Sequence, residues 1–315
     1  MGTLTTRMEH PLVLWLLCDG KPGHENQSLG LAEAVGRRVP VDIQRIPLDT
    51  GGSVSRLKAA CRAAAALPLP HLILAAGHPT HLPMLWLARK YGAKSIVLMR
   101  PSLPLSWFDL CIAPQHDFPN GCQLKNVILT RGALNRVNPG TVEKHGKLIL
   151  IGGPSKAHGW DGTALLDMLA AITGDGSGWE LTDSRRTPEG FLEQIQAKLP
   201  NITAISHTRT PPEWVPEKLR AAAEVWVTED SISMIYEALT SGAKVGLLPM
   251  PRRTGFSRVL AGIDGLVADG YLTNFNAWHD TGCMVRAPER LDEAARCACV
   301  VAAQFGLADP AHGLH

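Results

Sequence analysis

Short apolar runs alternate with longer stretches in which apolar and polar residues recur at helical spacing, and this alternation continues along almost the whole chain. In the first half the apolar runs Leu12–Cys18, Val41–Ile46, Leu72–Ala75, Ser95–Met99, Leu110–Ala113 and Asn126–Leu129 predict strands. Helices are expected near Asn26–Arg38, Ser53–Ala66 and His81–Tyr91. The turn-rich polar stretch Thr130–Thr141 reads as a linker. The pattern then restarts, with strands at Lys147–Ile151, Trp179–Thr182, Ile202–Ser206, Ala223–Val227 and Val245–Leu248, and helices over Thr163–Ile172, Glu189–Ala197 and 231–241. Continuously apolar strands separated by helices are the pattern of a parallel sheet covered on both faces. The expectation is an α/β protein in two halves, 1–140 and 141–315, with the last helix a candidate to pack back on the first. In such folds nucleotides bind at the carboxyl ends of the strands, and two facing sheets can share one cleft.

The polar loops expected at those strand ends carry the candidate chemistry. Val225–Pro249 reads as strand, polar loop, helix, strand, with Asp230, Ser231 and Ser233 where the helix begins. Hydroxyls and unpaired backbone N–H groups at a helix start suit phosphate, although a capping box explains the same residues without a ligand. Glu237 follows Ser233 at i,i+4 and so shares its side of the helix. After the first strand, Cys18–Gln27 includes Gly20 and Gly23, which permit close backbone approach. The loop matches neither G-x-G-x-x-G nor the Gly-Lys-Ser/Thr ending of a P-loop. His24 and Glu25 are its candidates for general-base work, with plain surface use the alternative. In the second half, the Gly-rich turn with Gly153, Ser155 and Lys156 could meet phosphate or serve only as a strand-to-helix turn. Ser184, Arg185 and Arg186 end another strand; adjacent arginines cannot both point one way, so one is expected to face a ligand and the other solvent. Ser206–Pro211 is a looser echo suited to a base or ribose, and Gly77–Thr80, with His78 and Thr80, is a candidate acceptor-side loop.

Composition narrows the partners. With 31 basic and 29 acidic residues among 315, the near-neutral chain is not expected to bind nucleic acid as its main activity. Seven scattered cysteines without a C-x-x-C pair indicate neither a disulfide framework nor a zinc site, and a reducing cytoplasm fits best. The apolar run Leu12–Cys18 is too short to span a bilayer, and no signal peptide is recognisable before it. Met1–Thr6 fits a myristoylation pattern loosely enough for chance. Trp86, Arg89, Lys90, Arg100, Trp107 and Phe108 are candidates for peripheral contact with the inner face of a membrane, or equally ordinary surface and core.

Four motifs in order, Asp19–Ala34, Ile151–Lys156, Asp183–Pro188 and Val227–Met234, resemble the mitochondrial-fission Elm family, whose bacterial members are described as glycosyltransferases and were earlier labelled nucleoside-diphosphate-sugar epimerases. The resemblance runs from about residue 12 to 305. It implies a GT-B architecture: two Rossmann-like domains facing across a cleft, the first on the acceptor side and the second holding the nucleotide sugar. A more distant likeness to the GT-B enzyme MurG and to Kdo transferases implies that Glu237 bonds the donor ribose. It also implies that Gly152, Gly153 and Ser155 form a diphosphate loop interrupted by Pro154, and that His24 matches a first-domain histidine, though at unusual spacing. The function expected is glycosyl transfer from a nucleotide-activated sugar to an envelope glycan or lipid. No metal or cofactor is expected: helix amides, Ser155, Lys156 and an arginine would meet the leaving diphosphate, and no Asp-x-Asp motif occurs. A nicotinamide-dependent epimerase would need a Tyr-x-x-x-Lys pair, but the three tyrosines are followed at that spacing by Ser95, Thr240 and Phe275. A non-catalytic scaffold or membrane adaptor on the same fold is the alternative.

Overall fold

The computed structural model describes residues 11–140, 143–174, 178–254 and 258–307. The Met1–Thr6 pattern and Thr141 of the expected linker lie outside the described residues. The chain divides into two compact units, one running to Arg136 and resuming at Asp292, the other comprising Val137–Leu291.

The first unit is built from β1 (Leu12–Cys18), α1 (Pro22–Gly36), β2 (Val41–Pro47), α2 (Ser53–Ala64), β3 (Leu72–Ala76), α3 (His81–Tyr91), β4 (Lys94–Leu98), β5 (Leu110–Pro114) and β6 (Val127–Thr130). Its six strands are all parallel, in the order β2-β1-β3-β4-β5-β6. Every residue of β1 and β3 is buried, which is why these runs show no alternation: both faces of the sheet are covered. The change of direction between β1 and β3 opens the sheet's crevice there, so the loops after these two strands meet. α1 starts at Pro22, four residues before the expected Asn26, because proline is preorganised for a first helical turn. That extension places Gly23, His24 and Glu25 on a helix rather than in a loop.

The second unit contains β7 (Gly146–Leu150), α4 (Gly162–Thr173), β8 (Trp179–Thr182), α5 (Phe191–Lys198), β9 (Thr203–Ile205), α6 (Trp214–Ala221), β10 (Ala222–Thr228), α7 (Ile232–Ser241), β11 (Lys244–Leu248), α8 (Arg258–Ala268), β12 (Thr273–Asn274) and α9 (Phe275–Thr281). Its sheet is again six-stranded and parallel, ordered β12-β11-β10-β7-β8-β9, with the crevice between β7 and β10. Gly246 lies flat under Trp226; a Cβ there would meet the indole at 2.3 Å.

The stretch expected to be a polar linker is instead anchored. Leu134 and Asn135 are buried in the first unit, Arg136 pairs with Glu33 at 2.8 Å, and Val137 is already in the core of the second. The final helix α10 (Glu293–Gln304) buries Ala294, Cys297, Ala298 and Val301 in the first unit's core beside α1. Among the described residues no helix is long and apolar enough to cross a membrane.

Candidate functional site

In the second unit the site begins at α7. Ser231 occupies the N-cap position but makes no side-chain capping bond, unlike Asp161 of α4 and Asp292 of α10, each of which accepts an amide of its own helix. The first intrahelical bond after the cap runs from Ile235 N–H to Ser231 O, so the preceding amides are left for a partner outside the helix. No capping box forms at 231–233. The helix start borders a recess of about 480 Å³, a size usual for small-molecule sites. Ser231 and Ser233 line it from α7, Thr182–Arg186 from the loop after β8, His207 and Thr210 from the loop after β9, and Val215 and Met234 from the two flanking helices.

The two adjacent arginines diverge. Arg186, although 40% exposed and on the wall of the recess, has its guanidinium engaged: it holds Asp230 at 2.8 Å and the carbonyl of Gly153 at 2.9 Å. Asp230, expected to touch the donor, is a buried strut that accepts the amide of Gly153 at 2.8 Å. Arg185 is exposed, lines the recess and has no partner among the described residues. It is the free cation of the pair.

Ser155 is likewise turned into its own loop, accepting the amides of Ala157 and His158 at 3.2 and 3.0 Å. Gly153 is required by packing, since a Cβ would meet the Arg186 carbonyl at 2.0 Å, and Lys156 is exposed beside the loop. Behind it a chain of ion pairs runs outward from buried His158 and Glu229, 3.6 Å apart, through Arg252 to exposed Asp264. Burial depresses the His158 pKa, with Glu229 and Asp230 acting against the shift. Sequence reasoning singled out none of these four residues, and their spacing in the chain carries no signal of the contact.

Glu237 is half-buried on α7, with no hydrogen-bond or ion-pair partner among the described residues. Desolvation pushes its pKa up to about 7. It does not line the recess.

In the first unit, the crevice between β1 and β3 brings Asp19, His24 and the loop 77–80 together. Asp19, with its side chain 2% exposed, accepts from His24 Nδ1 at 2.8 Å, which leaves Nε2 as the free nitrogen. The His24 ring lies on Gly77, where a Cβ would meet Nδ1 at 2.4 Å and φ is +92°. The carboxylate that orients His24 is thus Asp19 rather than Glu25, which faces Arg45 instead. Gly20 is in an open turn at φ +78° and Gly23 is exposed at the start of α1, both in this unit, whereas the recess is lined by residues of the second. His78 is exposed, its ring 5.4 Å from that of His81. Thr80 is fully buried and donates its hydroxyl to Gly77 O at 2.7 Å, so it builds the turn and cannot touch an acceptor. Of the proposed membrane residues, Trp86 and Trp107 are exposed, but Phe108 is only 3% exposed and belongs to the core. Arg100 stacks on Phe118.

The sequence profile of the mitochondrial fission ELM1 family matches residues 22–305. The chain belongs to this family. No curated protein sequence matches it. In fold, this ELM1-family chain is similar to an assigned UDP-N-acetylglucosamine 2-epimerase of Listeria monocytogenes, at 12% identity over 95% of this chain and 98% of that one, with a TM-score of 0.60. It is similar also to the UDP-GlcNAc 2-epimerase of Neisseria meningitidis bound to UDP-GlcNAc (11% identity, 94% and 100% covered, TM-score 0.57). The glycosyltransferase of kitacinnamycin is a third (15% identity, 94% and 99% covered, TM-score 0.55). At such identities the likeness shows the fold, the GT-B architecture that these enzymes share.

Proposed function

We propose that this ELM1-family protein is a glycosyltransferase that moves a sugar from a nucleoside-diphosphate donor to an envelope glycan or lipid acceptor. The observation that carries the reading is the uncapped start of α7, opening on a recess that also holds the unpaired Arg185. Orphan amides, two serine hydroxyls and a guanidinium form a preorganised set of donors for the charge that develops on a departing diphosphate. Arg186 and Asp230 hold the loop. In the first unit His24, fixed by Asp19, takes the proton of the acceptor hydroxyl through Nε2 as the C–O bond to the sugar forms and the diphosphate leaves. The UDP-sugar enzymes of the same fold support a nucleotide sugar as ligand.

His24→Ala is expected to lower turnover by about 10²-fold with donor affinity little changed, the loss usual for a general base. Donor hydrolysis to water serves as the assay until an acceptor is found; an equal fall in donor affinity and turnover would assign His24 to binding instead. The epimerases among the structural neighbours favour a second reading, because the missing Tyr-x-x-x-Lys pair argues only against nicotinamide-dependent epimerases. Conversion of a UDP-sugar to its epimer without release of free sugar would establish that reading in place of transfer.

A further inference from the structure

The recess contains two titratable side chains, His207 and Asp183, for which the transfer mechanism has no role. His207, in the loop after β9, accompanies Asp183, in the loop after β8. Asp183 accepts both from the His207 backbone amide and from Nδ1, the latter at 2.9 Å. Its side chain is 13% exposed, whereas that of His207 is 32% exposed and lines the recess. A carboxylate on Nδ1 fixes the tautomer and the ring plane, so Nε2 is directed away from Asp183. Among the described residues Nε2 has no partner. The arrangement repeats the Asp19–His24 pair of the first unit, here on the wall of the donor recess.

A second, independent observation marks this wall as built for a ligand. Thr182, 1% exposed, lines the same recess, and its hydroxyl is buried without a hydrogen-bond partner. Unsatisfied buried hydroxyls are uncommon, because a hydroxyl taken out of water without a partner is destabilising until one arrives. The other charged groups on the wall are Arg185, which is free, and Arg186, which is held by Asp230. Asp183, the one carboxylate on the wall, holds His207 through Oδ1 by both of its contacts, and the remaining charged groups there are cations.

We infer that His207 is a further ligand-binding residue of this site: with its ring protonated on both nitrogens it donates Nδ1–H to Asp183 and Nε2–H to a phosphate oxygen of the nucleoside diphosphate, and Asp183 is the positioning residue that aims it. The inference rests on the recess being the donor site. Asn at 207 keeps a donor near the position of Nδ1 and loses the reach of Nε2, while Gln keeps an amide near Nε2. The probe is whichever of UDP, ADP, GDP and CDP the wild-type protein binds most tightly, measured by calorimetry beside its parent nucleoside. His207→Asn is expected to keep the wild-type melting temperature and to lose about tenfold in diphosphate affinity with nucleoside affinity unchanged, as for one charge-assisted hydrogen bond. His207→Gln is expected to recover most of the loss. Unchanged diphosphate affinity in the Asn variant overturns the inference and leaves the ring as a tie between two loops. Equal losses for diphosphate and nucleoside also overturn it, as does a Gln variant as weak as the Asn one. If the wild-type protein binds none of the four, the donor reading fails and this inference with it.

Discussion

Two neighbouring arginines show how much a residue's role depends on what its side chain reaches. Arg185→Ala removes a free cation from the recess and is expected to weaken nucleoside-diphosphate binding by about tenfold with the melting temperature unchanged. Arg186→Ala leaves the buried carboxylate of Asp230 unpaired, and the loss should appear as about 1–3 kcal/mol of stability, below the range for fully buried pairs because Arg186 is 40% exposed. Calorimetric binding and chemical denaturation of the two variants measure both effects; equal behaviour would contradict the division of labour. Glu237 offers a pH test. Burial raises its pKa to about 7 from 4.5, so folding favours the protonated acid. Its contribution is intact below the unfolded pKa and is lost as pH rises through 7, with an upper limit of about 3 kcal/mol at 1.36 kcal/mol per unit and less in practice because the residue is partly exposed. Glu237→Gln should therefore match the wild type near pH 5 and exceed it in stability near pH 8, with nucleotide affinity unchanged because Glu237 does not line the recess. A variant with the same stability difference at both pH values would mean that the carboxyl is freely solvated.

At the scale of elements, α1 is held closely from two sides. Gly30 faces the anchored stretch after β6, and a Cβ there would meet the carbonyl oxygen of Asn135 at 2.2 Å, a backbone atom that cannot swing aside. Gly30→Ala is expected to destabilise the first unit by about 1–3 kcal/mol despite alanine's higher helix propensity, since overpacking outweighs propensity here. A variant as stable as the wild type would show that the stretch 131–136 is loosely attached. The same contact explains what the sequence did and did not reveal. Buried strands such as β1 and β3 were legible because full burial on both faces leaves an uninterrupted apolar run. The attachment of Leu134 and Asn135 was not, because polar, turn-rich composition looks the same whether or not a stretch docks on a neighbour. α1 was read late because the proline that opens it also reads as a loop residue. Ser231 and Ser233 line the recess from the helix start, and Arg185 from the strand end, where the pattern places polar residues. The pairings Asp19–His24 and Asp183–His207 are not legible in the sequence, although the loop Ser206–Pro211 is, because each joins side chains from separate turns or loops. Thr80 and Ser155 were misread because hydroxyls that build a turn and hydroxyls that bind a ligand occur at the same loop positions.

For the whole molecule, the chain crosses from the first unit to the second at Arg136 and returns at Asp292, so a single segment, α10, completes a core begun almost 300 residues earlier. Cys297, Ala298 and Val301 are fully buried there, and each unit otherwise has its own apolar clusters, none containing residues of both. A chain ending at Leu291 should therefore lose stability in the first unit, where α1 would expose its apolar face, and leave the second unit's sheet intact. Nucleoside diphosphate provides the complementary perturbation. A ligand at a hundred times its dissociation constant stabilises the state that binds it by about 2.7 kcal/mol. If the recess alone grips the nucleotide, that stabilisation belongs to the loops after β8, β9 and β10 and to the start of α7. Hydrogen exchange with and without nucleotide measures it segment by segment, and the shortened chain should show the same protection in those segments as the full one. Loss of nucleotide protection in the shortened chain would show that the first unit contributes to donor binding, and His24 would then have to be reconsidered as a phosphate contact rather than a base.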